Sequence, residues 1–269
     1  MAKEMLGPGI PSPQKLANDI GSIGYVIYHN AISVGVIDEL RLFWLDYFTS
    51  VPKKEVVRSG MQLGEKNFNS YSNTNFWCLY RDFDFLWNKP THALTRELQL
   101  AIHVLRNRAQ GDDDDYGLLY NEQKYSIYGS TSCYPANIGF LNGHVDGHKK
   151  DDKPILHFMV PITFRKIDYE AGGLEIADKN ADWIDIDSKV SPGSLIFFDG
   201  RFEHRVQKII PLPGKNIGRI ATFAIPMFFK SQEDIPKPIL QTSKLYTKVK
   251  ERLGKTFSLG QSLEHIRKL

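Results

Sequence analysis

Gly143-His144-Val145-Asp146-Gly147 is the stretch whose reading decides this chain. His204 and then Arg219 follow it along the sequence. Successive strand residues point to opposite faces, so in a strand His144 and Asp146 aim to the same side. Two imidazoles and one carboxylate can occupy three positions on one face of a ferrous ion and leave the other face open. His204 would join them from a neighbouring strand, after the turn Asp199-Gly200-Arg201. His-x-Asp alone is a frequent chance pairing, so its surroundings must carry the argument.

Those surroundings read as β structure. From about Tyr125 to Phe229, short runs rich in β-branched and aromatic residues alternate with Gly, Pro, Asp and Asn turns. Ile155 to Thr163, Gly193 to Phe198 and Arg219 to Phe229 are such runs, and Gly172-Gly173 reads as a turn between the His144–Asp146 pair and His204. Many short strands with turn signals predict an antiparallel sandwich or barrel. Before this region lie a short strand over 24–28 and a helix from Ser33 to about Phe48. The apolar stripe of that helix is Ile37, Leu40, Phe43, Trp44 and Tyr47. A second helix follows Pro90, with Leu94, Leu98, Ile102 and Leu105 at helical spacing and Gly111 past its end. Residues 67–88, rich in Asn, Ser and aromatics without a period, read as a lid over a pocket or as an irregular segment on the core.

The expectation is one domain over 1–269. It comprises a loose arm at 1–15, helical support with the possible lid at 16–120, a β core at 121–230 and a basic helical tail at 231–269. Apolar and charged fractions of 42% and 24% are those of a globular chain. A net charge of +3 is too small to argue for nucleic acid or an anionic membrane. No apolar run approaches the roughly 18 residues of a membrane span. The two cysteines, Cys78 and Cys133, suggest a reduced, cytoplasmic setting, and the Pro-broken start is not a signal peptide. Asp112 to Asp115 reads as a solvated loop.

Cys133-Tyr134-Pro135-Ala136-Asn137-Ile138-Gly139, running on to His144-Val145-Asp146, resembles the strand that leads into the metal in ferrous, 2-oxoglutarate-dependent oxygenases. The similarity is closest to their prolyl-hydroxylase-like branch. Leu195 to His204 and Arg219 to Phe229 resemble later strands of the same fold, and the likeness spans roughly 125–229. It implies a mainly β domain with flanking helices around a double-stranded β-helix of jelly-roll or cupin type. It further implies that His144, Asp146 and His204 bind Fe(II), with 2-oxoglutarate and dioxygen as the other reactants.

Arg219 would meet the far carboxylate of 2-oxoglutarate through its planar fork of donors. Arg205 is the rival, but as a strand neighbour of His204 it should point away. Tyr134 matches a tyrosine lining that pocket in the branch, and reads equally as a core tyrosine. Relatives often add a Ser or Thr two residues after the arginine, or a Tyr on the strand after the metal pair. Here Ala221 and apolar residues near Met159 and Val160 stand there, so the second donor is open. Asp146 favours hydroxylation, because halogenating relatives lack that carboxylate. Ile225 stands where nucleobase-repair relatives carry a second arginine.

His148 reads as an exposed loop residue and His157 as a core histidine that could still line the substrate side. His92, His103 and His265 sit in helical contexts and need no function. Three functional readings follow: hydroxylation of a small-molecule metabolite or biosynthetic intermediate, hydroxylation of a prolyl or other side chain in a protein, and a non-oxidative β-barrel that binds metal or ligand. The sequence is silent on oligomeric state.

Overall fold

A computed structural model describes residues 5–50, 68–73, 76–85, 90–117, 125–146 and 156–228. In chain order these form α1 (Pro13–Ile23), β1 (Tyr25–Tyr28), α2 (Val34–Ser50), β2 (Phe68–Asn73), β3 (Trp77–Phe85), α3 (Ala93–Gln110), β4 (Tyr125–Tyr134), β5 (Phe140–His144), β6 (Leu156–Pro161), β7 (Tyr169–Ala177), β8 (Trp183–Asp185), β9 (Leu195–Asp199), β10 (His204–Pro211) and β11 (Arg219–Phe228).

The strands pair in the order β1-β9-β6-β11-β4-β3-β5-β10-β7-β8, with β2 added to β3. All these pairings are antiparallel. Arg219 at the start of β11 touches Met159 on β6 and Asp187 just past β8. β8 ends the strand order, so contact between it and β11 requires the sheet to fold over on itself. One wall holds β1, β9, β6, β11 and β4; the facing wall holds β5, β10, β7 and β8. This is the expected double-stranded β-helix.

Strand β9 shows why the sequence chooses this arrangement. All five of its residues are buried. Leu195 and Phe197 pack with Leu16, Ile37, Leu40, Trp44, Leu98 and Ile102 of the helices. Ile196 and Phe198 turn the other way and join Tyr134, Tyr169, Leu174, Ile176 and Val206 between the walls. A strand covered on both faces reads as an unbroken apolar run. The helices are tied to one another and to the walls by polar contacts. Trp44 Nε1 donates to Thr95 Oγ1 at 2.9 Å, and Arg41 grips Asp168 at 2.6 and 2.8 Å.

Both helices read from the sequence are present, and Gly111 caps α3 at φ 73°. Three expectations need correction. The described part of the N-terminal arm is not loose: Leu6 bridges Ile32, and Ser12 caps a helix that starts at Pro13. Proline suits a first helical position, where its missing N–H is not needed. The described residues of the 67–88 segment are not irregular. Phe68–Asn73 and Trp77–Phe85 pair, and β3 also bonds β4 and β5. A strand bonded on both sides is part of the wall, not a flap over it. Gly172-Gly173 is no turn between strands but an irregularity inside β7, at φ 85° and 112°, opposite a register shift in β10. The tail 231–269 and His148 lie outside the described residues. Among those described, no helix is long and apolar enough to cross a membrane.

His103, in α3, is fully buried, and its Nε2 donates to the Tyr116 carbonyl at 2.7 Å. Burial, aided by nearby Arg106, pushes its pKa down to about 3. The folded state therefore holds it neutral, while the unfolded chain takes up the proton near pH 6.5. The sign follows: this contribution is present above pH 6.5 and is lost as pH falls toward 3, by about 1.4 kcal/mol per pH unit. Urea unfolding between pH 6 and pH 4 should show a shallower loss of stability in His103→Gln than in the parent. An unchanged slope would contradict the assignment.

Candidate metal centre

The centre is built where β5 and β10 lie side by side. His204 stands directly opposite His144 in that ladder. Their rings lie 4.3 Å apart between centroids. Strand β5 ends at His144, so Asp146 lies just beyond it and not within it. Its position is fixed by its own N–H, which donates to the Gly200 carbonyl at 2.8 Å. Gly200 is required there, because a Cβ would meet the His157 ring at 2.5 Å and Asp146 Cβ at 3.2 Å.

Asp146 Oδ1 lies 3.7 Å from His144 Nε2, and Oδ2 lies 3.5 Å from His204 Nε2. The three donor atoms fall within 4.8 Å of one another. Donors about 2.1 Å from one ion and at right angles to each other sit about 3 Å apart, so small rotations suffice to close the site.

Backbone carbonyls orient both rings. His144 Nδ1 bonds the Asn142 carbonyl at 3.0 Å, and His204 Nδ1 bonds the Phe202 carbonyl at 3.1 Å. A carbonyl can only accept, so Nδ1 carries the proton and a neutral ring offers its lone pair on Nε2. Both Nε2 atoms face Asp146. Burial, then the neighbouring His204, lowers the His144 pKa and favours this neutral form. Burial opposes the charge of Asp146, but the adjacent His204, together with His157 and His144, outweighs it through the positive charge these rings carry whenever one of them is protonated. Its carboxyl titrates well below the usual range. Two neutral imidazoles and a carboxylate are the donor set that a divalent iron takes.

His157 is closer to this centre than the sequence suggested. It is buried, with Nε2 3.4 Å from Asp146 Oδ2, and burial pushes its pKa down to about 4. His92 and His103 stay in the helical layer, His92 capping α3 and bonding Thr95 at 2.9 Å.

Arg219 and Arg205 separate cleanly. Arg205, next to His204 and so on the opposite face of β10, lies over Trp183 at 3.9 Å from the ring centroid and bonds Glu175 at 2.6 Å. Arg219 is 1% exposed, between the walls and opposite Tyr134 in the β4–β11 ladder. Its Nε and Nη2 grip Asp187 at 2.5 and 3.0 Å, and Nη2 also reaches Met159 Sδ at 3.2 Å. Burial works against the Arg219 charge, yet Asp187 more than offsets it and raises the pKa above the ordinary arginine value. Arg219 Nη1 is buried and has no partner among the described residues.

Tyr134 is buried in the interior cluster, near both Arg219 and Asp146, and burial raises its pKa. Thr222 faces the opposite way, bonding Gln99 and the Ser130 carbonyl at 2.7 and 3.1 Å.

Asp187 and Tyr169 were missed. Neither sits in a motif, and both reach Arg219 only through the folding of one wall over the other. The two orienting carbonyls had a faint signal, since each belongs to the residue two before its histidine.

No protein-family model matches the sequence, and neither does any curated protein sequence. Solved structures do. A prolyl-4-hydroxylase from Pseudomonas putida superposes with a TM-score of 0.55 at 14% identity, over 81% of this chain and 100% of that one. The non-heme alpha-ketoglutarate-dependent carbocyclase SnoK of nogalamycin biosynthesis gives 0.51 at 12%, over 82% and 87%. A 2OG-Fe(II) oxygenase family protein from Caulobacter crescentus gives 0.50 at 14%, over 84% and 88%.

Removing one ligand should abolish the centre. His144→Ala and Asp146→Asn are each expected to weaken Mn(II) or Fe(II) binding, measured by anaerobic calorimetry, by about 100-fold or more while circular dichroism is unchanged. Parent-like affinity in either variant would contradict the ligand set. With that set mounted on paired strands of two facing walls, the chain has the double-stranded β-helix fold of the 2OG-Fe(II) oxygenases.

Proposed function

We propose that this chain is an Fe(II)- and 2-oxoglutarate-dependent dioxygenase that hydroxylates an unactivated C–H bond of a small molecule. The observation that carries the reading is the centre itself: two Nε2 atoms and a low-pKa carboxylate converge across the β5–β10 ladder. The residues fit both iron and 2-oxoglutarate. His144, Asp146 and His204 would hold iron on one face and leave three positions open. The unpartnered Nη1 of Arg219, buried in the same interior, suits the far carboxylate of 2-oxoglutarate.

When bound, iron and 2-oxoglutarate supply oxidative decarboxylation with dioxygen, giving succinate and carbon dioxide and putting one oxygen atom into the substrate C–H bond. The protein's part is placement. Its histidines and Asp146 fix the open face, and Arg219 sets how deep the co-substrate lies. Tyr134, Met159, Ile196 and Phe198 belong to the apolar lining that keeps water from the reacting atoms.

A small-molecule substrate is consistent with SnoK, whose name places it in nogalamycin biosynthesis. Phe76 and Val145, 42% and 44% exposed beside the metal ligands, offer an apolar rim for it. The second reading, a prolyl-type hydroxylase of peptides, is favoured by the Pseudomonas putida structure. A non-oxidative binding protein is the third and would release no succinate.

Two measurements test this. Anaerobic addition of Fe(II) and 2-oxoglutarate should produce a weak visible charge-transfer band. A folded, metal-loaded sample without the band would remove the co-substrate. Succinate release across metabolites and peptides, with mass detection of one added oxygen, distinguishes the substrate classes. In titrations of that band, Arg205→Ala should stay within about twofold of the parent, while Arg219→Lys, which keeps the charge but cannot grip Asp187 and also present a separate Nη1, should weaken 2-oxoglutarate by about tenfold or more. The reverse pattern would show that Arg205 is the co-substrate residue.

A further inference from the structure

Arg219 is not waiting alone for an anion. Asp187, 2% exposed, already occupies its Nε–Nη2 edge, and the Tyr169 hydroxyl donates to the same Asp187 Oδ2 at 2.6 Å. The approach is built into the backbone. Gly173 lies so near that a Cβ there would stand 2.1 Å from Asp187 Oδ2. Asp187 leaves the edge of one wall and Arg219 leaves the other, so the pair crosses the interior.

If this pair were scaffold alone, its geometry would be wasteful. A buried ion pair needs its remaining donors satisfied. Here one arginine nitrogen, with two N–H groups, is buried and unsatisfied. An orphaned buried donor is costly, and one on a charged guanidinium more so. Tyr169, Ile196 and Met159 belong to the cluster between the walls, and among the described residues no acceptor reaches that nitrogen. The donor is therefore left for a ligand, and Asp187 decides which edge of the arginine the ligand meets.

Resting on the oxygenase reading above, we infer that Asp187 is a positioning and selectivity residue for the 2-oxo acid. It holds the Arg219 fork so that Nη1 alone meets the far carboxylate, and its charge tempers the pull of Arg219 on that carboxylate. Asp187 keeps the buried arginine paired when no co-substrate is present. The free protein is then stable without an anion, and in exchange the arginine attracts a dicarboxylate less strongly than a lone guanidinium would. Tyr169 belongs to the same device. Its hydroxyl spreads the Asp187 charge and loosens that residue's hold on Arg219. Burial, with the Asp187 charge, raises the Tyr169 pKa, so the hydroxyl stays protonated and able to donate.

The test compares two acids on metal-loaded protein without oxygen: 2-oxoglutarate, and 2-oxobutyrate, which has the same keto-acid end but no far carboxylate. Asp187→Asn should bind 2-oxoglutarate about tenfold tighter, since a negative charge near the far carboxylate is gone. 2-Oxobutyrate should not change. Tyr169→Phe should move 2-oxoglutarate in the opposite direction, weakening it severalfold, again with 2-oxobutyrate unchanged. Opposite signs confined to the dicarboxylate support the proposal; a scaffold role cannot produce them. If both variants weaken both acids alike, or Asp187→Asn leaves 2-oxoglutarate unchanged, the proposal is overturned. Should Asp187→Asn not fold, Tyr169→Phe decides: selective weakening supports the device and parent-like binding overturns it. If the parent itself binds neither acid, the oxygenase reading falls and this inference with it. Parent binding with unresponsive variants removes the inference alone.

Discussion

His204 stands across from His144 in the β5–β10 ladder, and the candidate site depends on that register. Side chains alternate along a strand, so slipping the pairing by one residue would turn His204 toward solvent and bring Arg205 inward. The alternation of β10 itself opposes that slip. Val206 and Ile209 pack between the walls, whereas Arg205 and Gln207 bond Glu175 outside. The register that buries the apolar residues is thus the one that brings His144 and His204 together beside Asp146. Packing and chemistry are specified by the same hydrogen bonds.

The second constraint is the buried charge of Arg219. Breaking a buried ion pair by removing one partner costs about 3–5 kcal/mol, so a lone guanidinium between two apolar walls would strain a domain of ordinary stability. Asp187 resolves this within the free protein, and in doing so it ties the end of one wall to the start of β11. On the proposed reading, function and stability meet at this residue. The arginine needs a permanent partner to be tolerated and a spare nitrogen to be useful, and the geometry provides both.

Much of this was legible in the sequence. Helix periodicity located α2 and α3, and the change to short apolar runs marked the β core. The strand rule placed Arg205 outside and Arg219 inside. Other features were hidden for physical reasons. Residues 68–85 lack a clean alternation because β3 is bonded to both β4 and β5 and joins the two walls, so no single face governs its pattern. Gly172-Gly173 looks like a turn because positive-φ glycine pairs usually are one. Here the same conformations bend β7 and make room for Asp187. Asp187 carries no motif at all, since its partner is distant in sequence and the contact exists only once the walls face each other. The described part of the N-terminal arm is ordered because Gly7 and Gly9 lie against the backbone of His29 and Asn30, an approach any side chain would block.

On the proposed reading, one interior holds iron at His144, Asp146 and His204 and the far end of a 2-oxo acid at Arg219. An anaerobic crystal structure with Fe(II) and 2-oxoglutarate, using anomalous scattering at the iron edge, tests it most directly. The expected result is one anomalous peak bounded by the Nε2 atoms of His144 and His204 and the carboxylate of Asp146. The far carboxylate is expected within hydrogen-bonding distance of Arg219 Nη1, with Asp187 still on the opposite edge of the guanidinium. Iron bound elsewhere, or a co-substrate whose far carboxylate points away from Arg219, would contradict it.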